Sequence, residues 1–429
     1  MTMEYKSTRG GIGVSFQDAL LKGLAPDGGL YVPTSIPRIP YDYKEKGDLS
    51  GMSADVLLPW LQAEVERDHL LQIIKDALNF EVPLISLGGA GWEDVHVLEL
   101  FHGPTLSFKD FGARTMARLM RYFLDRRNET RTILVATSGD TGSAVADGFA
   151  GQDRIDVVLL YPKDKVSNTQ ERQLIVERPG VRALAVEGDF DDCQQMVKEA
   201  FTNPNLSHLH LSSANSINVG RLLPQMVYYF WAVLKLQSSN VLFCVPSGNL
   251  GNLTAGILAL LSGLRVRSFI AAHNANDFFP RFLSGEDAHF KPTVGTFSNA
   301  MDVGAPSNFE RLRTLLETDQ MRRLIHGESV TNTATIASIR RVYDATGYVA
   351  DPHTAVGLEA VRRARTEGRG EGPAVVLATA HPAKFPQIIE RAIGLRPDAP
   401  PRLAALWGQP VAFESAAPTQ NALMHHLLR

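Results

Sequence analysis

The chain has 429 residues, enough for two or three domains and a sizeable buried core. Hydrophobic residues are 44% and charged residues 21%, an ordinary globular mix, and 43 basic against 46 acidic side chains leave a formal net charge of −3. That balance excludes a nucleic-acid or acidic-membrane binder acting through bulk positive charge, though not a small basic pocket.

The first residues, Met1 to Gly13, lack the apolar stretch of a secretory signal. Ser15 is placed to cap a short helix through Leu21, and Pro26-Asp-Gly-Gly-Leu-Tyr-Val-Pro33 reads as a turn closing on an apolar pair. From Ser53 to Phe80 apolar residues recur at helical spacing, so residues 1–82 are expected to form a small, mostly helical lobe. From about Val82 short apolar runs alternate with amphipathic stretches. Strands are expected at His96–Phe101, Thr132–Ala136, Asp156–Tyr161, Arg182–Val186, Val241–Val245, Arg267–Ala271 and Ala374–Ala378. Helices are expected at Phe108–Arg126, Gly142–Ala150, Phe190–Phe201, Ile217–Leu236 and Leu250–Leu261. Strands separated by helices imply βαβ units, and so many strands imply an α/β region of two lobes with mainly parallel sheets over residues 83–394. Ligands of such sheets bind beyond the carboxyl ends of the strands. The uncharged stretch Leu236–Leu264 is long enough to cross a bilayer, but Pro246-Ser-Gly-Asn-Leu-Gly-Asn252 in its middle would leave backbone groups unpaired in lipid. A strand, a glycine loop and a helix fit better, and no membrane attachment is expected. Residues 395–429 read as a linker and a short terminal segment.

Two cysteines, Cys193 and Cys244, cannot build a disulfide scaffold, so a reducing, cytoplasmic setting is expected. The histidines show no ligand spacing for a metal, and no GxSxG elbow is present.

Three segments carry chemistry. In Leu98-Glu-Leu-Phe-His-Gly-Pro-Thr-Leu-Ser-Phe-Lys-Asp-Phe111 a strand ends, Gly103-Pro104 turns, and Ser107 with Asp110 resembles a capping box. Lys109 then falls in the first helical turn, where the helix dipole and burial both disfavour an ammonium. A neutral amine is what a Schiff-base lysine needs, although an exposed first-turn lysine is the plainer reading. In Ile133-Leu-Val-Ala-Thr-Ser-Gly-Asp-Thr-Gly-Ser-Ala144 and in Val241-Leu-Phe-Cys-Val-Pro-Ser-Gly-Asn-Leu-Gly-Asn252 a strand enters a small-residue turn before a helix. The second is neither a Walker loop nor a dinucleotide fingerprint, but it has the physics of a phosphate cup: N–H donors without bulky side chains at a helix start. Two such loops suggest two anionic groups in one crevice. Ser212-Ser-Ala-Asn-Ser-Ile-Asn-Val-Gly-Arg221 adds polar groups before an apolar helix, with Arg221 able to grip a phosphate or to be a surface residue.

Together these segments resemble the threonine synthase family, within the pyridoxal-phosphate enzymes of fold type II (the tryptophan synthase β superfamily). The resemblance runs in order through Ser15-Phe-Gln-Asp-Ala-Leu20, Asp27-Gly-Gly-Leu-Tyr-Val-Pro33, Leu100 to Gly112, Ala136-Thr-Ser-Gly-Asp-Thr-Gly142, Ser213-Ala-Asn-Ser-Ile-Asn218, Pro246 to Asn252, Ser298-Asn-Ala-Met-Asp-Val303, Asp351-Pro-His-Thr-Ala-Val-Gly357 and Thr379-Ala-His-Pro-Ala-Lys-Phe385. The N-terminal lobe is similar to that of the longer bacterial and fungal branch.

The resemblance implies pyridoxal 5′-phosphate as cofactor, with Lys109 the lysine that carries it and shuttles protons. It implies Ser247, Gly248, Asn249, Leu250, Gly251 and Asn252 around the cofactor phosphate, with a backbone contact at Leu250, and Thr379 facing the pyridine nitrogen. Ser138, Gly139 and Thr141 match the loop that grips the substrate, and Asn215, Ser216 and Arg221 the set expected on its phosphate. Asp140 stands where sister enzymes usually have an Asn at the cofactor's 3′-oxygen; a carboxylate there would repel the phenolate unless a proton is shared. The reaction implied is O-phospho-L-homoserine plus water giving L-threonine and phosphate, the last step of threonine biosynthesis, in a monomer or small homo-oligomer without nucleic acid. Two readings compete: another fold type II activity such as a serine/threonine dehydratase or cysteine synthase, which the set around Arg221 and the N-terminal lobe disfavour, and a non-enzymatic phospho-ligand binder, which Lys109 disfavours. For the substrate phosphate, Lys163 or Arg114 are the cations that rival Arg221.

Overall fold

The computed structural model describes residues 3–40, 47–61, 64–137 and 139–428. Ser15 caps the helix Phe16–Lys22 as expected, accepting the Asp18 N–H at 3.0 Å. Around that helix the chain also forms three short strands, β1 (Tyr5–Ser7), β2 (Gly10–Val14) and β3 (Tyr31–Pro33), paired antiparallel in the order β2-β1-β3. Strands this short and glycine-rich carry no readable alternation. The helical stretch after Ser53 is divided by a 3₁₀ turn at Leu58–Trp60 into helices Leu49–Leu57 and Arg67–Ala77. Pro59 in that turn has no N–H with which to continue an α-helix.

Every strand expected after residue 83 is present, flanked by additional short ones. They are β4 (Leu84–Ser86), β5 (Val95–Glu99), β6 (Arg131–Ala136), β7 (Ile155–Pro162), β8 (Val181–Val186), β9 (Leu211–Ser212), β10 (Leu242–Pro246), β11 (Ser268–His273), β12 (Ile325–Ser329), β13 (Ala374–Ala378) and β14 (Glu414–Ala416). Among the described residues they form a six-stranded sheet, β12-β11-β10-β13-β5-β4, and a five-stranded sheet, β14-β8-β7-β6-β9. All neighbours are parallel except β4 against β5. This is the two-lobed α/β architecture of the sequence reading. In the larger sheet β13 lies between β10 and β5, with Ala374 opposite both Leu242 and Val95.

The expected helix Ile217–Leu236 is broken into Val219–Leu222, a 3₁₀ turn Leu223–Met226, and Val227–Leu236, again at a proline, Pro224. Beyond Gly394 the chain is more than connecting peptide: Glu414–Ala416 pairs in parallel with β8, and the helix Gln420–Leu427 buries Leu423 and Leu427 in the cluster beneath the five-stranded sheet. Leu236–Leu264 forms a helix end, β10, a loop and the helix Gly251–Leu261, and no helix among the described residues is long and apolar enough to cross a membrane.

The N-terminal lobe has no core of its own. Tyr5, Phe16, Trp60, Leu70 and Ile74 belong to one contiguous buried cluster with Phe111, Tyr228 and Val245 of the larger region. Tyr5 donates to the Trp60 carbonyl at 3.0 Å, and Trp231 Nε1 to the Val82 carbonyl at 2.9 Å. Replacing the fully buried Trp60 with Ala is therefore expected to cost about 3–5 kcal/mol. Denaturant unfolding checks this, and because the core is shared the loss should appear in the main transition, not as separate early melting of residues 3–78.

Candidate active site

The chemistry-bearing segments meet at the carboxyl ends of the parallel strands. Lys109 opens the helix Lys109–Arg127 after β5, Asp140 the helix Asp140–Phe149 after β6, Ser247 follows β10 and Thr379 follows β13. The turn before Lys109 is pinned to β13's end: Phe108 N–H donates to the Thr379 carbonyl at 2.9 Å, and Ser107 bridges Ala380.

The expected capping box is not formed. Asp110 turns away from Ser107 and accepts from Thr105 N–H (2.9 Å) and Thr105 Oγ1 (2.7 Å), so it ties the turn Gly103–Leu106 to the helix start. Burial, then the nearby Asp147, push its carboxyl up to about 7 against the two Thr105 bonds and Arg114. Burial also pulls the Lys109 amine down to about 8; Asp140 resists this, while Lys384 and Arg221 add to it. Lys109 Nζ has no hydrogen-bond or ion-pair partner among the described residues. An amine close to neutral and uncommitted is a nucleophile and a base.

Asp140 is buried and bound elsewhere. Its Oδ1 lies 2.7 Å from Lys384 Nζ and 3.2 Å from Gln170 Nε2. Burial works against its ionised form, but Lys384, then Lys109 and His353, hold the carboxyl well below its usual range. Ser138 lies outside the described residues. Gly139 N–H (3.2 Å) and Gly142 N–H (2.8 Å) donate to Thr137 Oγ1, which shapes the loop, and the Thr141 side chain makes no hydrogen bond among the described residues.

The loop after β10 presents a row of unpaired N–H groups. Thr254 N–H begins the helical bonding by donating to the Leu250 carbonyl, whereas the N–H groups of Gly248, Asn249, Leu250, Gly251 and Asn252 find no acceptor among the described residues. Leu250 holds the left-handed backbone that aims them, with φ 60°. A Cβ on Gly248 would stand 2.8 Å from Met301 Cα, so only glycine fits there. Ser247 departs from its expected role: its N–H goes to the Ala272 carbonyl and its hydroxyl to the Val245 carbonyl, both at 2.8 Å, so it shapes the loop and does not donate into it. Asn252 Oδ1 lies 2.7 Å from the hydroxyls of both Tyr228 and Tyr229, which leaves its buried Nδ2 as an unpaired donor.

The segments around Asn249 and Ser216 touch. Asn249 Nδ2 donates to Ser216 Oγ at 2.7 Å. Arg221 is 3% exposed, which excludes the surface reading. Its Nη1 donates to the Ala214 carbonyl, its buried Nε has no acceptor, and it makes no ion pair among the described residues. Burial lowers its guanidinium to about 10, with Asp110 opposing. Arg221 reaches the Lys109 helix because residue 112 is glycine: a Cβ there would lie 2.7 Å from the Arg221 carbonyl oxygen and 2.9 Å from its Nε. Asn215 Oδ1 is likewise buried and unpaired. The rival cations are occupied: Arg114 Nε donates to the Ala77 carbonyl at 2.7 Å and Nη1 pairs with Asp147, and Lys163 pairs with Glu187 at the surface.

The sequence reading assigned no role to Lys384, Gln170, His353, Asn308 or Arg311. Lys384 and His353 lay inside quoted motifs. Arg311 had no local signal, yet it is wholly buried and donates to the Tyr31 and Ser216 carbonyls (3.0 and 3.1 Å), to the Ile217 carbonyl and to Asn308 Oδ1, while Asn308 Nδ2 reaches the Asn249 carbonyl at 3.0 Å. Elsewhere His326, Glu328 and Glu367 converge, but Arg369 sits among them and pairs with both carboxylates.

A lysine drawn down to about 8, a row of free N–H groups and a buried guanidinium with an unpaired Nε fit a phosphorylated aldehyde cofactor together with an anionic substrate. The family model for pyridoxal-phosphate dependent enzymes matches residues 81–380 and defines the class. Models for the threonine synthase N terminus and C-terminal region match residues 4–78 and 354–426. The threonine synthase of Escherichia coli K12 is 40% identical over 91% of both chains, and that of Buchnera aphidicola from Acyrthosiphon pisum 39% over 97% of both. The crystal structure of pyridoxal-phosphate-bound threonine synthase from Brucella melitensis superposes with a TM-score of 0.92 at 36% identity, covering 99% of each chain. The chain belongs to the threonine synthase family.

One consequence of the site is measurable without cofactor. The folded Lys109 amine, at about 8, lies below its usual 10.5, so the unfolded chain binds more protons between these values. The penalty is complete below the lower value and fades as pH rises to the upper. Lys109→Met should therefore raise the denaturation midpoint of the cofactor-free protein at pH 7, and a pH series of melting curves should show that gain vanishing by about pH 10.5.

Proposed function

We propose that the protein uses pyridoxal phosphate to convert O-phospho-L-homoserine and water into L-threonine and phosphate. The observation that carries the substrate choice is Arg221, a buried guanidinium with an unpaired Nε beside the reactive lysine. Burying a phosphate dianion needs charge-assisted partners, and burying a guanidinium without an anion is itself costly, so each satisfies the other.

The free N–H groups of Gly248 to Asn252, with Asn252 Nδ2, would hold the cofactor phosphate at the start of the helix Gly251–Leu261. Lys109 would carry the cofactor as a Schiff base, Thr379 would face its ring nitrogen, and Asp140 would stand beside it as an already neutralised carboxylate. When bound, the cofactor supplies the electron sink for charge developing at the substrate's α-carbon. Lys109 Nζ, freed by the substrate amine, takes the Cα proton and then a Cβ proton, work suited to an amine that titrates near neutrality. Gly139 and Thr141, at the start of the helix Asp140–Phe149, orient the substrate carboxylate together with Ser138. Arg221, Asn215 and Ser216 hold the γ-phosphate and stabilise it as it departs. The proton lost from Cβ is matched by one delivered to Cγ, which becomes the methyl group. The hydroxyl of water adds at Cβ while its proton goes to the released phosphate, and the Cα proton is returned before Lys109 displaces the product. We divide the chain into an N-terminal lobe (1–82), a catalytic region (83–394) and a terminal segment (395–429); family models matching residues 4–78 and 81–380 support the first boundary. Two buried, unpaired thiols support a cytoplasmic setting, and the net charge of −3 supports a small-molecule partner without nucleic acid.

Steady-state rates on phosphohomoserine, serine and threonine test the reaction. A preference for serine or threonine would move the protein to a dehydratase. Lys109→Ala should abolish turnover while leaving the fold intact, as read by circular dichroism. Arg221→Ala should lower kcat/KM for phosphohomoserine on the order of a hundredfold with cofactor content unchanged. Loss of cofactor in step with activity would show that the two phosphates are assigned to the wrong loops.

A further inference from the structure

The Lys384 side chain is 0% exposed. It ends the 3₁₀ turn Pro382–Lys384 that follows β13, in the larger sheet, while its partner Asp140 begins a helix after β6 of the smaller one. Nζ lies 2.7 Å from Asp140 Oδ1 and donates to the Thr105 carbonyl at 3.1 Å, and Thr105 is in turn held by Asp110, the neighbour of Lys109. One buried ammonium therefore ties the second lobe to the turn that presents the reactive lysine. A methionine would fill that space without the cost of desolvating a charge.

Asp140 has few other suitors. Gln170 offers it an uncharged amide. His353 faces it, but both ring nitrogens are engaged, Nδ1 with Asp351 at 2.7 Å and Nε2 as acceptor of the Ala300 N–H at 3.2 Å. The remaining cation facing Asp140 is Lys109, which is itself faced by Asp140, Lys384 and Arg221.

We propose that Lys384 is a positioning residue for Lys109: by occupying Asp140 as its ion partner, it prevents Asp140 from capturing Lys109, whose nitrogen thereby stays free to give and take a proton. Without Lys384 the buried carboxylate has one strong cation left to pair with, and Lys109 becomes a fixed ammonium in a salt bridge. With Lys384 present but Asp140 neutral, Lys109 faces two uncompensated cations, and its proton is held more loosely than in the native protein. The two substitutions therefore act in opposite directions, which loss of packing at either residue would not produce.

The proposal rests on the reading of Lys109 as the lysine that carries pyridoxal phosphate, and the test separates the two. The visible absorbance of the holoenzyme is followed against pH, which reports the protonation of the Lys109 nitrogen bound to the cofactor. Lys384→Met should raise the midpoint by about 1–3 pH units, the range for an opposite charge brought into contact. Asp140→Asn should lower it, and Asp140→Asn added to Lys384→Met should bring the raised midpoint back down. A midpoint unmoved by Lys384→Met, or one that the second substitution does not lower, overturns the proposal. If Lys384→Met does not fold, Asp140→Asn alone decides: a midpoint that stays put or rises overturns it. A native protein that develops no visible chromophore with pyridoxal phosphate overturns instead the assignment of Lys109, and this proposal with it.

Discussion

Lys109 is faced by two cations, Lys384 and Arg221, and by one firmly ionised interior carboxylate, Asp140. The repulsion these cations exert on Lys109 is the constraint on which the rest of the site depends. One cation is neutralised by a direct contact, one is pushed toward the neutral amine, and one keeps its charge with a free Nε. A low-dielectric interior makes these choices steep, since each added or removed charge is felt by the other groups. Asp110, close by, turns its carboxylate into the Thr105 turn, and burial together with Asp147 raises it to about 7.

The N-terminal lobe takes part in this arrangement through the backbone. Arg311 reaches the Tyr31 carbonyl of β3 on one side and the Ser216 and Ile217 carbonyls on the other, and Asn308 extends the bridge to Asn249. A guanidinium has a rigid fork of donors, so it fixes the relative position of every carbonyl it holds. The segments around Ser216 and Asn249 are thus tied to β3 through one buried guanidinium and its neighbour Asn308.

The α/β body was legible in the sequence because its central strands are continuous apolar runs bounded by turn residues. β12 was not, because Ile325-His-Gly-Glu-Ser329 is an edge strand with one buried apolar residue, and β9 and β14 are too short to carry a pattern. The expected helix Ile217–Leu236 was over-extended across Pro224, a proline that the apolar periodicity runs straight through, and the helical spacing after Ser53 likewise hid the break at Pro59. In the site, the loop before the helix Gly251–Leu261 announced itself by composition and Arg221 by its neighbours. What Ser247 does within that loop, bonding back to the Val245 and Ala272 carbonyls, was not legible, because the carbonyls behind it are set by β10 and β11. Lys384 was passed over for a different reason. Lysine is the residue least expected to be interior, and only the three-dimensional meeting of two sheets reveals its partner.

The strand order carries a consequence for how the molecule is made. β13, among the last strands to leave the ribosome, belongs in the middle of the larger sheet, between β10 and β5. Until residue 378 emerges, the two halves of that sheet each present an open edge, and β8 remains open until β14 follows. Such edges are templates for pairing with other chains. Synthesis therefore exposes the nascent chain to aggregation for most of its length, and Thr379 and Lys384, just past β13, join the site only after every other part of it has been translated. A product that stops before residue 384 lacks the central strand of the larger sheet or the Lys384–Asp140 pair that joins it to the other lobe.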